Sequence, residues 1–413
     1  MSQTVELTKE LIRRKSVTPD DAGCQQLLAA RLAAAGFTVE HMRFGEVDNL
    51  WALHRGGDGP LVCFAGHTDV VPPGPREKWR SDPFEPSVRD GLLYGRGAAD
   101  MKSGIAAMTT AAETFVASRA RYGGAIGLVI TSDEEGPSVD GTRRVVEQLS
   151  ERGQRMDFCV VAEPSSQQAF GDTVRIGRRG SLSGRLTVQG VQGHVAYPDR
   201  ALNPIHAVLP AFSELAARRW DEGNEHFPPT SFQLSNLNAG TGATNVIPGE
   251  LQADFNLRWS TAQSLDALKR TVAEVFDRHG LNHAIEWLEA SMPYYTTPGP
   301  LTTIVSEAVA EIAGRRPELS TGGGTSDGRF FGALGAEVVE FGLLNRTIHQ
   351  VDECCAVGDI DRLRDIYTGI LSRIFSGSTR VRPSSARRRG PSPRQASRGR
   401  GTTSRSSRTR RPP

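Results

Sequence analysis

One short apolar stretch, followed at once by a histidine and an aspartate, constrains the fold of this 413-residue chain more than any other feature. Residues 61–65 are apolar, include a β-branched valine and lead into Gly66, the pattern of a buried β-strand. Such a strand delivers His67 and Asp69 to its carboxyl end, on the same face. An imidazole beside a carboxylate is typical of a metal-ligating histidine with a neighbouring acid, although most such pairs are simple strand-end hydrogen bonds.

Further strand-like stretches are also followed by residues of the kinds that bind metals. Residues 125–131 precede Ser132-Asp133-Glu134-Glu135, residues 158–161 precede Glu163, and residues 336–341 are followed by His349. Asp100 stands just before an alanine-rich helical pattern. In open α/β sheets, ligands bind at the carboxyl ends of the strands. We therefore expect these acids and histidines to gather at one edge of a sheet.

The order of strand and helix signals predicts how the chain is divided. Alternating signals up to residue 179 predict an α/β fold, with a mixed, mostly parallel sheet and helices on both faces. Between residues 180 and 292 the order becomes β-α-β-β-α-β, typical of a ferredoxin-like α+β domain. We predict a catalytic domain formed by 1–179 and 293–377, an inserted dimerisation or lid domain at 180–292, and a tail at 378–413.

The tail has a composition of its own. Residues 378–413 contain 12 arginines, no lysine, aspartate or glutamate, and almost no apolar residues, so we expect disorder. The rest of the chain therefore has more acidic than basic residues, although the whole chain carries a net charge of +2. An arginine-rich tail can attract nucleic acid through counterion release. A solvated extension is the simpler interpretation, and specific nucleic-acid binding is not expected.

Other features of composition point to a cytoplasmic protein. The first twenty residues mix acids and bases without an apolar core, so no secretory signal is visible. No apolar run approaches the ~18 residues needed to span a bilayer, so no membrane association is expected. The 5 cysteines are odd in number and scattered, which indicates reduced thiols rather than a disulfide framework.

From near the N-terminus to about Phe375, the chain resembles the dinuclear-zinc aminoacylase and carboxypeptidase family. Three motifs recur across that family: the segment around His67, the segment 95–102 that contains Asp100, and the segment 132–135. Two further segments, 178–181 and 321–330, resemble the branch whose members remove succinyl groups. This resemblance implies hydrolysis of the amide bond of an N-succinylated diamino dicarboxylic acid.

The resemblance also implies two divalent metal ions per chain, zinc or alternatively cobalt. One ion would be held by His67 and Glu163, and the other by Glu135 and His349. Asp100 would bridge the two ions. Carboxylate and imidazole ligands without clustered cysteines suit these metals.

Three residues receive implied catalytic roles. Asp69 would accept the second ring N–H of His67 and raise the basicity of that ligand. Glu134 would be the general base, taking a proton from the attacking water and passing it to the leaving amine. By sequence alone, Asp133-Glu134-Glu135 would ordinarily be a solvated acidic turn, and His194 an ordinary loop histidine. The resemblance implies that His194 stabilises the developing oxyanion from across the interface of a homodimer, formed through residues 180–292.

The implied substrate is rich in carboxylates, so its pocket needs cations and hydrogen-bond donors. Arg178 and Arg258 are suited to bidentate carboxylate binding, although a structural ion pair explains each equally well without the resemblance. Thr244 stands where the desuccinylating branch often has asparagine. The other predicted substrate contacts are Ser181, Tyr197, Asn245, Gly324, Thr325 and Asn345.

Two alternatives remain open at this point. The shared metal motifs also fit another deacylase or a dipeptidase of the same family, for example one acting on acetylornithine. From a different class, the chain could be a metal-free binding or scaffold protein whose basic tail engages nucleic acid. Stoichiometric metal content separates an enzyme from a scaffold.

Overall fold

A computed structural model describes residues 1–119 and 121–376 of the chain. The predicted disorder of residues 378–413 falls outside the described residues. Within the described part, no helix is both long and apolar enough to cross a membrane.

The larger sheet consists of eight strands in the spatial order β1-β2-β6-β3-β7-β18-β8-β17. Their bounds are β1 Thr38–His41, β2 Asn49–Arg55, β3 Leu61–His67, β6 Ala125–Thr131, β7 Phe158–Val161, β8 Thr173–Arg175, β17 Glu318–Ser320 and β18 Glu337–Glu340. At its centre β3 runs parallel to both β6 and β7, and β7 runs parallel to β18. The pairs β1/β2, β2/β6 and β18/β8 are antiparallel. The prediction of a mixed, mostly parallel α/β sheet is confirmed.

Helices cover both faces of this sheet, which explains why all seven residues of β3 are buried. Val62 and Phe64 pack into an apolar cluster with α1 Gln3–Ile12, α2 Cys24–Ala34, α3 Lys102–Ser118, α7 Pro300–Ala313 and α9 Val357–Ser376. The alternate residues Leu61, Cys63 and Ala65 face a second cluster with α4 Thr142–Glu151 and α8 Gly328–Ala333. This strand, which packs against apolar side chains on both faces, ends at the polar residue His67, and Asp69 follows two residues later.

A separate four-stranded sheet lies between residues 180 and 287. Its elements in chain order are β10 Gly180–Gln189, α5 Pro204–Ala217, β12 Ser231–Ala239, β14 Glu250–Trp259, α6 Leu265–Arg278 and β15 His283–Trp287. The strands are antiparallel in the order β12-β14-β10-β15, which is the split-βαβ topology. Alternate residues of β10 and β14 are buried with both helices in an apolar cluster of their own. The β-α-β-β-α-β order is as predicted, and the division into domains stays a prediction.

Seven short strands of the described residues form three further small sheets. They are β4 Ser87–Arg89, β5 Leu92–Tyr94 and β19 Cys354–Ala356 in one sheet, β9 Gly177–Arg178 with β16 Tyr294–Tyr295, and β11 Gly193–His194 with β13 Val246–Ile247. Two 3-10 helices span Arg76–Lys78 and Pro198–Arg200. The pairing of β19 with β5 brings the residues after His349 beside the segment that leads to Asp100.

Candidate metal centre

The carboxyl ends of three parallel strands bring the candidate ligands together. His67 is the last residue of β3 and lies opposite Thr131, the last residue of β6. The acids 132–135 therefore emerge beside His67, and Glu163 emerges from the other neighbour, β7. The imidazole of His67 is only 1% exposed, so its ring is held by the sheet.

Asp100 lies between two histidines that are 282 positions apart in the sequence. Its Oδ1 is 3.4 Å from Nε2 of His67, and its Oδ2 is 3.4 Å from Nε2 of His349. One carboxylate thus presents one oxygen to each histidine. This is the arrangement that a carboxylate bridging two ions requires.

Each of these histidines also has a carboxylate of its own. Glu163 Oε1 lies 3.5 Å from His67 Nε2, and Glu135 Oε1 lies 2.9 Å from His349 Nε2. Potential ligand atoms of His67, Asp100 and Glu135 lie within 4.8 Å of one another. The structure therefore brings all five predicted ligands to one place, in the pairs that the resemblance implies.

The residues present fit a pair of divalent ions. Among the described residues, His67 Nε2 and Asp100 Oδ1 are buried polar atoms without a hydrogen-bond partner, and both point into the centre. Imidazole nitrogens and carboxylate oxygens are the ligands that zinc and related ions take. Buried acids also outnumber histidines here, so cations would relieve their mutual repulsion.

This excess of negative charge perturbs the titration of the ligands. Burial, followed by repulsion from Asp100, raises the pKa of Glu163 to about 7. Hydrogen bonds to Asp100 and Glu135 raise the pKa of His349 to about 10. Burial opposes ionisation of Asp100, but the two histidines that face its oxygens at 3.4 Å outweigh that effect and lower the pKa of the carboxyl. Metal binding at neutral pH must therefore displace protons.

Glu134 is a further acid at the centre, and its carboxylate lies within 4.8 Å of potential ligand atoms of His67 and Glu163. Its Oε2 lies 4.0 Å from His67 Nε2, and its side chain is 15% exposed. Burial, followed by repulsion from Glu163, raises the pKa of Glu134 well above its usual value. A carboxyl group so placed is suited to accept a proton and return it.

Asp69 contacts the centre in a different way from the one predicted. The acceptor nearest His67 Nδ1 is the backbone carbonyl oxygen of Asp69 at 2.9 Å, whereas its carboxylate is 3.5 Å away. That carboxylate accepts hydrogen bonds from the backbone N–H groups of Glu134 and Glu135, at 3.3 and 3.1 Å. Asp69 therefore orients both His67 and the acidic turn that follows β6.

The predicted substrate contacts fall into separate groups. Arg178 is buried, and its guanidinium donates to the carboxylate of Glu340 and, at 3.1 Å, to the carbonyl oxygen of Gly322. It thereby anchors the loop that carries Gly324 and Thr325. This use of Arg178 in an internal ion pair was one of the two interpretations left open.

Ser181 and Arg258 lie opposite each other on β10 and β14, and both are half-buried. Asn345 donates its backbone N–H to the carbonyl oxygen of Ser166 at 3.0 Å, on the segment that leads to His349.

Three other predicted residues are exposed on the part of the chain that carries the four-stranded sheet: His194, Tyr197 and Asn245. The backbone N–H of Val195 donates to the carbonyl oxygen of Asn245 at 3.1 Å, because β11 and β13 pair here. Among the hydrogen bonds and ion pairs of the described residues, none joins these side chains to the His67 centre.

Sequence reasoning missed several buried residues that hold the centre in place. Glu353 accepts hydrogen bonds from the backbone beside Asp100, and Glu340 binds Arg178, Tyr294 and Ser326. Glu340 lies within the strand-like stretch 336–341, but nothing in the sequence pairs it with Arg178. These partners are too far apart in the chain for any local pattern to connect them.

Comparison with known proteins identifies the family. Residues 63–373 match the sequence profile of Peptidase family M20/M25/M40. The chain belongs to the M20 family. Two curated members are named succinyl-diaminopimelate desuccinylase: that of Alkalilimnicola ehrlichii is 59% identical and that of Thioalkalivibrio sulfidiphilus 58% identical, each over 91% of this chain and 100% of the relative.

Solved structures of more distant M20 members have the same fold. The M20 metallo-carboxypeptidase Sso-CP2 of Sulfolobus solfataricus aligns with a TM-score of 0.79 at 15% identity, over 91% of this chain and 99% of its own. The YXEP protein of Bacillus subtilis, described as a dinuclear metal-binding peptidase of the M20 family, aligns with a TM-score of 0.67 at 15% identity, over 91% and 98%. The resemblance found in the sequence is thereby confirmed.

Proposed function

We propose that this M20 protein hydrolyses N-succinyl-LL-2,6-diaminopimelate to succinate and LL-2,6-diaminopimelate, a precursor of lysine and of the cell wall. The observation that carries the proposal is the Asp100 carboxylate, which faces His67 and His349 with one oxygen each at 3.4 Å. The names of the curated relatives support the choice of substrate. The reaction is proposed to take place in the cytoplasm, in keeping with the free thiols of all the cysteines.

The proposed centre holds two zinc ions, with cobalt as the alternative. His67 and Glu163 would hold one ion, Glu135 and His349 would hold the other, and Asp100 would contribute one carboxylate oxygen to each. The chemistry that two such ions supply when bound is polarisation of the amide carbonyl and a lowered pKa for the attacking water. The donor set and the two buried atoms without hydrogen-bond partners support this assignment.

Glu134 is the proposed general base and acid. Its raised pKa lets the carboxylate take a proton from water and keep it long enough to deliver it to the leaving amine. Its position is set by the Asp69 carboxylate, which accepts the N–H of Glu134 itself. Glu134 therefore moves the proton while Asp69 orients the turn on which Glu134 sits.

The remaining proposed contacts recognise the carboxylates of the substrate. Arg258 and Ser181 meet at the start of the smaller sheet, where Ser181 Oγ accepts from Asn256 at 2.9 Å. Gly324, Thr325 and Asn345 are the other proposed donors to the substrate, and Arg178 holds the glycine-rich loop through the carbonyl oxygen of Gly322. Burial and the nearby Arg179 lower the pKa of Arg258, so a carboxylate beside that guanidinium would be stabilised.

We further propose that residues 180–292 form a dimerisation domain and that a second copy of the chain supplies His194. The separate apolar cluster of this unit supports an independent domain. The exposure of His194, Tyr197 and Asn245, and their lack of contact with the metal ligands in one chain, support contribution from a partner. A cationic or N–H-donating imidazole near the developing oxyanion can contribute ~3 kcal/mol.

The test is hydrolysis of N-succinyl-LL-2,6-diaminopimelate against N-acetylornithine by purified zinc-loaded protein, with a chelated control. A strong, chelator-sensitive preference for the succinyl compound is expected. Preference for the acetyl compound would reject the proposed substrate while keeping the metal chemistry. Chelator-resistant hydrolysis would reject the metal centre itself.

A further inference from the structure

A single buried glutamate outside the predicted site holds the loop on which Asp100 sits. Glu353 is 1% exposed. Its Oε1 accepts the backbone N–H groups of Ala99 and Asp100 at 2.8 and 2.9 Å, and its Oε2 accepts that of Gly97 at 2.9 Å. One carboxylate therefore satisfies three of the amide groups in this loop, including that of the candidate bridging residue.

The loop needs such an acceptor because it is tightly folded and inaccessible to water. Gly97 has a φ of +83°, and a Cβ at that position would approach Val70 Cγ1 to 2.8 Å. Asp100 itself is 7% exposed. Buried backbone N–H groups without an acceptor cost ~1–3 kcal/mol each, so the Glu353 carboxylate stabilises this backbone conformation over others.

Arg96 neutralises the buried carboxylate. Its Nη1 lies 2.7 Å from Glu353 Oε2, and the two side chains are 2% and 1% exposed. The same Nη1 donates to the carbonyl oxygen of Gln350 at 3.3 Å. The ion pair is thus fully desolvated and directly bonded to both segments of backbone, which favours a single geometry.

Glu353 also joins the two halves of the metal centre. It stands four positions after His349, and its backbone carbonyl oxygen accepts the N–H of Gly95 at 3.0 Å. The next residues form β19, which pairs with β5 just before the Asp100 loop. Displacing Glu353 would therefore shift Asp100 relative to His349. In the structure, Asp100 Oδ2 and His349 Nε2 are 3.4 Å apart.

We propose that Glu353, neutralised by Arg96, is a positioning residue that fixes the Asp100 carboxylate midway between His67 and His349 and so sets the affinity of both metal ions. Glu353 touches neither metal nor substrate in this role; it acts through the backbone of the Asp100 loop. The inference rests on the two-metal centre proposed above. Outer-shell partners of metal ligands typically change metal affinity 10–100-fold when they are replaced.

The experiment is a titration of metal-free wild type and Glu353→Gln with Co²⁺, followed by the d–d absorption bands and by competition with a chelator. Glutamine can no longer accept all the hydrogen bonds that Glu353 receives. The expected result is affinity about ten- to a hundred-fold weaker than wild type, with altered d–d bands and unchanged far-ultraviolet circular dichroism.

Asp221→Asn is the matched control. Asp221 also accepts backbone N–H groups from its own loop, those of Gly223 and Thr230 at 2.9 and 3.0 Å, but it lies in the 180–292 unit. This variant should melt at a lower temperature while keeping wild-type metal affinity and d–d bands. A merely structural role for Glu353 predicts the same behaviour for Glu353→Gln, and that result would overturn the proposal.

Glu353→Asp keeps the charge and covers the case in which Glu353→Gln does not fold. We expect its metal affinity to be intermediate, because the shorter side chain retains an acceptor at a poorer distance. Wild-type affinity in folded Glu353→Asp would overturn the proposal. Binding of fewer than two ions by the wild-type protein is a separate outcome, which would contradict the proposed two-metal centre rather than the role of Glu353.

Discussion

Individual carboxylates at the strand ends differ in role because their surroundings differ. Glu135 pairs with His349 at 2.9 Å, whereas Glu134, the preceding residue, lies 4.0 Å from the nearest histidine nitrogen atom. Burial raises the pKa of Glu134 well above its usual value. Adjacent glutamates thus present one group suited to hold a metal and another suited to move a proton.

Replacing Glu134 with glutamine should separate these roles. We expect Glu134→Gln to lower kcat by about 10²–10⁴-fold, because the amide cannot accept the proton from water. Two ions per chain should still bind, which metal analysis after gel filtration would measure. Glu135→Gln is the comparison, and it should lose metal as well as activity. Near-normal turnover in Glu134→Gln would contradict its role as the base.

The affinity for metal should rise with pH because protons occupy the ligands of the metal-free protein. Glu163 with a pKa of about 7 holds a proton below that pH, and His349 with a pKa of about 10 holds one throughout the neutral range. Affinity should therefore rise about tenfold per pH unit for each displaced proton, most steeply below pH 7. Competition with a chelator of known protonation constants, at pH 6, 7 and 8, measures this; a pH-independent affinity would contradict it.

Glu163 and His349 also make the free energy of unfolding of the metal-free protein depend on pH. Both folded pKa values lie above the ordinary values of 4.5 for Glu163 and 6.5 for His349. Protonation therefore favours the fold. The contribution from Glu163 is lost as pH rises from 4.5 to about 7, and that from His349 as pH rises from 6.5 to about 10. Melting temperatures with and without metal should consequently diverge as pH rises.

At the scale of elements, the packing of α3 against the end of β7 positions Glu163. Gly104 is in the first turn of α3, and a Cβ there would lie 2.5 Å from the carbonyl oxygen of Ala162. Ala162 directly precedes Glu163 in the chain. The close approach of helix and strand end therefore depends on the absence of a side chain at Gly104.

Replacing Gly104 with alanine should push α3 away from this strand end. Alanine ordinarily stabilises a helix by ~1 kcal/mol relative to glycine, but the contact with backbone cannot be relieved by a side-chain rotation. We expect a net loss of ~1–3 kcal/mol in the free energy of unfolding and weaker metal binding through Glu163. Urea denaturation and chelator competition measure the two effects.

Gly358→Ala is the matched control, because Gly358 in α9 has nothing within 4 Å of the added Cβ. It should leave stability unchanged or raise it slightly, without any change in metal affinity. If the two alanine variants had the same free energy of unfolding and the same metal affinity, the close approach of α3 to Ala162 would not be what positions Glu163.

At the scale of the whole molecule, the proposed contribution of His194 from a second chain allows a test by complementation. His194→Ala and Glu134→Gln homodimers should each be nearly inactive. A mixed dimer has one site with an intact Glu134 and a His194 from its partner. After subunit exchange we expect recovery of up to about a quarter of wild-type activity, since half of the dimers are mixed and each has one intact site.

No recovery after verified exchange would contradict supply of His194 by the partner. Sedimentation at micromolar concentration is the independent measurement, and a monomer there would contradict the proposed dimer.

Deleting residues 378–413 should leave the reaction unchanged, because the family match ends at residue 373. We expect kcat/KM on the succinyl substrate to stay within about twofold of wild type, while any salt-sensitive retention on heparin should be lost with the 12 arginines. A full-length variant with all those arginines replaced by serine is the control, because it removes the charge of the tail and keeps its length. A large fall in turnover would contradict the view that the tail is dispensable.

Local sequence patterns predicted the central strands, the polar residues that follow them and the family. Residues 61–67 and 125–135 can be interpreted locally, because a strand's burial and the side chains at its end are encoded by neighbours in the chain. The β-α-β-β-α-β order of the smaller unit was readable for the same reason. Helix α9, Val357–Ser376, marks the limit of such local interpretation: its apolar residues are spaced for a helix, but it is not among the predicted elements.

The distant residues that hold the site in place become visible only in the folded chain. It joins Arg96 to Glu353 and Arg178 to Glu340, pairs that are more than 150 positions apart. It also puts the backbone carbonyl of Asp69, rather than its carboxylate, closest to Nδ1 of His67, and leaves the His194 side chain exposed. The physical reason is that periodicity reports which face of an element is buried, whereas hydrogen-bond partners depend on how elements far apart in the chain pack together.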